Sequence, residues 1–167
     1  MYEQRLWRLE AQNEIRLLKA RYAAWADAKY TQDHQRQPAE KLREVAWQQS
    51  VCFTEDACWY AGDEFGGTLQ GRELLFDWFN RAPWNWAMHH YTSPIIELVD
   101  DHNAKADWRL FQVAIQEKTD QVVLLSAVTE ETYRYTEEGW LHSSVKFKEL
   151  QLLNLKEDVA TIVSALA

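Results

Sequence analysis

Apolar residues recur every three to four positions through the first part of the chain. Ile15, Leu18, Tyr22, Trp25 and Ala26 follow one another at helical spacing with Arg, Lys and Glu between them, which predicts one long amphipathic helix over residues 4–29. TQDHQRQP (31–38) is a polar loop, and Pro38 suits the first turn of a second helix over AEKLREVAWQQSV (39–51) with Leu42, Val45 and Ala46 inward. The pattern then changes. FTEDACWYAGDEFGGTLQG sets short aromatic runs between glycines, which predicts a hairpin near 57–69. RELLFDWFNRA (72–82) reads as a third helix, with Leu74, Leu75, Trp78 and Phe79 on one side.

From His89 onward the period is that of strands. HHYTSPIIELV, AKADWRLFQVAIQEK, QVVLLSAVTEETYRYT and GWLHSSVKFKELQLL are rich in β-branched and aromatic residues, and DDHN, TD and EEG between them are turn chemistry. KEDVATIVSALA closes the chain as a short helix or a frayed tail. Three helices followed by a long antiparallel meander is an α+β order. A sheet of that length must curl to bury one face, and the helices close its open side. The expected result is a cone with a cavity.

Composition narrows the use of such a cavity. A length of 167 residues fits one domain with a real core. A net charge of −8, with the basic residues scattered, excludes the clustered positive surface that nucleic acid requires. No run approaches the ~18 apolar residues of a membrane span. MYEQRLWRLE has no apolar signal core, so no membrane association is expected and the expected location is cytoplasmic. Cys52 and Cys58 have no zinc spacing and make no disulfide framework, so both are expected as ordinary thiols. The nine tryptophans stand out. Beyond core use, they imply an aromatic-walled pocket or a large subunit interface.

The candidate chemistry centres on PWNWAMHHYTSP (83–94). Successive strand residues face opposite ways, so His89 and His90 do not share one metal without a bulge. His34, His102 and His142 have no ligand spacing to the pair, and no metal and no cofactor are expected. Alternation puts one histidine inside the cavity and one outside without saying which. Tyr22 lies on the apolar face of the first helix. Asp27 is about 140° further round it, at the edge of that face. GDEFGG lacks the context of a phosphate loop, and the acidic DDHN and TEE clusters read as solvated turns. With no G-x-S-x-G and no Cys–His neighbours, covalent catalysis is disfavoured and acid–base work is favoured.

RYAAWAD (21–27), FTEDA, QGRELL, HHYTSP and YRYTEEGW occur in an order and spacing that resemble the SnoaL-like branch of the nuclear transport factor 2 superfamily. Polyketide cyclases, scytalone dehydratase, bile acid 7α-dehydratase and ketosteroid isomerase are among its members. The resemblance covers most of residues 8–150. It implies a single SnoaL-like domain over 1–167 with a tail at 155–167, a cystatin-like cone around a deep apolar pocket, and a homodimer or higher homo-oligomer formed through the outer sheet face. Dehydratase-like members carry a Tyr and an Asp five residues apart on the first helix and a His shortly before a Pro on a strand. Tyr22, Asp27 and His89 stand at those positions. The implied protein is a cofactor-independent lyase, a dehydratase acting by general acid–base catalysis on a hydrophobic cyclic or aromatic small molecule. Alternatives are an isomerase or cyclase using the same residues, and a non-catalytic ligand-binding or structural subunit. Trp59, Tyr60, Trp86, Trp25 and Trp108 are the candidate pocket walls. The chain departs from the family pattern in its longer loop after the first helix, its second histidine, and Lys146 where many relatives have an arginine.

Overall fold

The computed structural model describes residues 2–155. Its first helix, α1 (Tyr2–Asp27), buries Ala11, Ile15, Leu18, Lys19, Tyr22 and Ala26, a stripe at the i, i+3, i+4 spacing of an amphipathic helix. It ends two residues earlier than its apolar period suggests, because the Tyr30 N–H closes a turn onto the Asp27 carbonyl (3.1 Å). Lys29 and Tyr30 are thereby turned inward and buried. The next helix, α2 (Ala39–Ser50), starts directly after Pro38. The third, α3 (Arg72–Arg81), buries Leu75 and Phe79, one turn apart. Leu74, expected beside them, is half exposed, since it lies about 100° round the helix from Leu75.

Gly71 precedes α3 with φ 97° and ψ 144°, backbone that L side chains rarely adopt. A Cβ there would meet only the Glu55 carbonyl at 3.6 Å, so substitution strains the backbone without a clash. Gly71→Ala should cost about 1–3 kcal/mol, read as a lower urea midpoint at unchanged slope. An unchanged midpoint would refute this account of the turn.

Among the described residues six strands form one sheet: β1 (Phe53–Tyr60), β2 (Thr68–Gln70), β3 (Trp84–Leu98), β4 (Asn103–Gln116), β5 (Val122–Thr136) and β6 (Gly139–Asn154), in the order β2-β1-β6-β5-β4-β3. The expected hairpin is β1–β2, and β3 to β6 form the expected meander. In β4 and β5 buried and open residues alternate, as in a sheet with one covered face. Register shifts between Thr92 and Ile95 and at two places in the β5–β6 ladder mark the irregularities that bend such a sheet. It stays unclosed, and the helices cover its concave side.

Two pairings differ from the sequence expectation. β3 begins at Trp84 rather than His89, because Trp84 already pairs with Gln116 at the far end of β4. And β1 runs parallel to β6, pairing Phe53 with His142 and Tyr60 with Lys146, segments nearly ninety residues apart, a contact that carries no local pattern. The segment KEDVATIVSALA lies outside the described residues. No helix among the described residues is long and apolar enough to cross a membrane.

Candidate active site

α1 lies along β3, and its last residue reaches the strand. Asp27 Oδ1 accepts two hydrogen bonds from His89, from the backbone N–H at 3.0 Å and at ring Nδ1 at 2.7 Å. The carboxylate therefore grips both the ring and the main chain of one residue. Its position at the edge of the buried face, which helical geometry leaves ambiguous, is explained by the helix stopping there. Asp27 is 30% exposed and His89 13%. With Nδ1 held by the carboxylate, Nε2 is the nitrogen left free to exchange a proton.

Alternation along β3 separates the two histidines. His89 lines a cavity together with Tyr22, Lys29, Trp59, Tyr91 and Gln112. His90 faces the outer side and is exposed, opposite Phe111 of β4. Burial pushes the His89 pKa below its usual value of 6.5; Asp27 pulls it back up, and the Lys29 and Lys19 charges push it further down. The neutral imidazole is thus favoured at neutral pH.

Tyr22 is buried and held edge-on by Phe53 (5.6 Å between ring centroids) and Phe79 (6.1 Å). Burial, and then the Glu131 charge, raise its pKa well above 10, although the Gln49 and Tyr91 side chains temper the effect. It stays a protonated hydroxyl, able to donate to an oxygen in the same cavity.

The aromatic walls are only partly those expected. Trp59 lines the cavity, and so do Trp78 and Trp84. Tyr60, next to Trp59 on a strand, points to the other face and is exposed. Trp86 packs edge-on against His34 at 4.9 Å, because the irregularity between Trp84 and Trp86 leaves Trp84 as the wall. Trp25 packs on the flank of α1 against the main core. Trp108 does not line this cavity but borders a neighbouring open pocket with His89 and Tyr91, and its Nε1 donates to Tyr133 Oη at 2.8 Å. Lys146 is exposed and pairs with Tyr60 on the parallel ladder, away from the site. The cavity volume is about 60 Å³, room for a few water-sized groups, so a larger ligand requires its aromatic walls to part.

The sequence reading also missed a buried polar network close to the dyad. Lys19 Nζ and Glu131 Oε1 lie 2.5 Å apart, with side chains 1% and 0% exposed. Thr129 Oγ1 donates to Glu131 Oε1 at 2.7 Å, Tyr133 Oη donates to Oε2, and His142 Nδ1 lies 3.3 Å from Oε2. Burial alone would raise the Glu131 pKa; Lys19 and then His142 more than offset it, and the carboxyl is held well below its usual range. Lys19 Nζ also sits 3.8 Å from the centroid of the Tyr91 ring. TEE occurs twice in the sequence. At 136–138 it reaches into the expected turn, but at 129–131 it lies inside β5. The available signal was parity: Thr129, Glu131 and Tyr133 alternate in phase toward the core. Among the described residues no three His, Cys, Asp or Glu side chains gather as metal ligands.

Fold and dyad together define a small α+β cone with an ionisable pair facing an interior pocket. The SnoaL-like domain profile matches residues 43–146, well over half of the chain, and the chain belongs to that family. No functionally curated protein matches it by sequence. Among solved structures it is similar to a hexachlorocyclohexane dehydrochlorinase, LinA type 3, from Novosphingobium barchaimii, at 18% identity and a TM-score of 0.72 over 95% of this chain and 99% of that one. It is also similar to a scytalone dehydratase-like protein from Novosphingobium aromaticivorans, at 14% identity and a TM-score of 0.71 over 93% of each chain. A nuclear transport factor 2-like protein with a cystatin-like fold from the same species gives 21% identity and a TM-score of 0.59, covering 87% of this chain and 86% of that one.

Proposed function

We propose that this protein is a cofactor-independent lyase that eliminates water, or a comparable small leaving group, from a cyclic or aromatic carbonyl compound. The observation that carries this reading is the Asp27–His89 contact at 2.7 Å, facing the cavity that Tyr22 also lines. His89 Nε2 takes the proton from the carbon next to the carbonyl. The C–H electron pair forms the double bond as the neighbouring C–O bond breaks. The departing hydroxide takes up the proton from the imidazolium and leaves as water. Asp27 fixes the ring and balances its transient charge. Tyr22 donates a hydrogen bond to the carbonyl oxygen as charge builds there. The lyase-type names of the structural relatives agree with this reading. A homodimer through the outer sheet face, where Met88 and Phe111 are exposed, belongs to the same proposal.

The test is a panel of cyclic β-hydroxy ketones, neutral and carboxylate-bearing, assayed for unsaturated product, with His89→Ala as the control. Product formation that requires His89 supports the reading. A panel left untouched, or converted equally by both proteins, rejects it. The pH profile is a second check. A catalytic base acts when neutral, and His89 has a lowered pKa because burial outweighs Asp27. The acid limb of kcat/KM should therefore have its midpoint below about 6.5. Asp27 raises that pKa, so Asp27→Asn should move the limb further toward acid. A wild-type midpoint above 6.5 would contradict the assigned environment.

A further inference from the structure

Lys29 and Gln112 flank the dyad without taking part in it. Lys29 follows Asp27 by two residues, at the turn that ends α1, and Gln112 lies directly opposite His89 on β4. Both line the cavity. Lys29 is 5% exposed and Gln112 4%. The only hydrogen bond of Lys29 Nζ among the described residues is a long one, 3.5 Å to the Phe79 carbonyl, and the Phe79 ring lies 5.6 Å away. It forms no ion pair among those residues, and Asp27, the carboxylate that acts on it, is already bonded to His89. Gln112 Nε2 is buried with no acceptor among the described residues. A buried ammonium without a counter-ion and a buried amide donor without an acceptor are both costly. An anion supplied by a ligand satisfies both at once.

We infer that Lys29 and Gln112 form an anion subsite beside the dyad, and that the substrate is a small organic acid whose carboxylate they receive. This rests on the cavity being the substrate site, as proposed above, and adds the substrate's charge. Burial lowers the Lys29 pKa to about 8, with Asp27 acting in the opposite sense. At pH 7 the side chain is still mainly cationic, and a carboxylate would reinforce that state. A carboxylate bonded by both groups would also fix the rest of the molecule relative to His89 Nε2, which is positioning rather than proton transfer.

Acetate and acetamide are a matched pair, alike in shape and size and differing in charge. The protein is labelled with ¹³C at the lysine ε carbons, and the Lys29 signal is identified by its loss in Lys29→Met. At pH 7 and constant ionic strength, acetate should move that signal saturably while acetamide does not. In Gln112→Leu the acetate affinity read from the same signal should fall about tenfold or more, as for the loss of a hydrogen bond to a charged group. In Lys29→Met, acetate should no longer perturb the tryptophan fluorescence contributed by Trp59 and Trp84, whereas Lys29→Arg should retain the response. A Lys29 signal that ignores acetate, or follows acetamide equally, overturns the inference. So does an unchanged affinity in Gln112→Leu. These measurements need no turnover, so the subsite can fail while the lyase reading stands, and the reverse.

Discussion

His89→Ala is expected to lower kcat/KM by about 10²–10⁴-fold, the usual contribution of a positioned general acid–base group. Thermal stability should change much less, because the ring lines a cavity rather than filling the packed core. Asp27→Asn should lose a comparable part of the rate for a different reason. The amide oxygen can still accept from His89, but the charge that holds the Nδ1–H tautomer and balances the imidazolium is gone. The two residues act as a unit, so the double variant should be little worse than the worse single one. Steady-state kinetics on the three variants, with near-ultraviolet circular dichroism to confirm folding, decides the matter. Either single variant turning over near the wild-type rate would remove the dyad from the mechanism.

The second large effect is on stability. Lys19→Met removes the cation from a pair whose side chains are 1% and 0% exposed and leaves the Glu131 carboxylate buried without it. Breaking a buried pair from one side costs about 3–5 kcal/mol, and the same is expected here in urea unfolding. Lys19→Met combined with Glu131→Gln should recover a substantial part of that loss, because the amide still bonds Thr129 and Tyr133 and no lone charge remains. Both variants should be equally destabilised if the network matters only through packing, and that result would defeat the electrostatic account.

The contrast between these two sites explains what the sequence disclosed. Elements with a local period were legible: the stripe on α1, the hairpin of β1 and β2, and the alternation in β4 and β5. Tyr22, Asp27 and His89 were legible by their spacing and order, but their meeting was not, since it needs the end of α1 to fall at Asp27 and β3 to run beside it. Alternation left His89 and His90 equivalent until the start of β3 fixed which one faces the cavity. Lys19 and Glu131 were hidden because each reads as a surface residue in its own segment. They make sense only as a pair brought together across more than a hundred residues. Lys29 was hidden for a simpler reason: the turn that buries it begins where the helical period was still expected to continue. The walls were half legible. Any tryptophan near the pocket was a candidate, and an irregularity at the start of β3 selected Trp84 over Trp86.

The double grip of Asp27 on His89 has a consequence outside chemistry. Among the described residues β3 is the outermost strand of the sheet, and the His89 N–H turns to Asp27 at the end of α1 rather than to β4. Free donors on such a strand recruit foreign strands. The carboxylate at the end of α1 occupies this one, so the group that orients the imidazole also blocks edge-to-edge strand pairing at this point. Asp27→Asn keeps an acceptor there, whereas Asp27→Ala removes it. Of the two, the alanine protein is the one whose solubility should suffer.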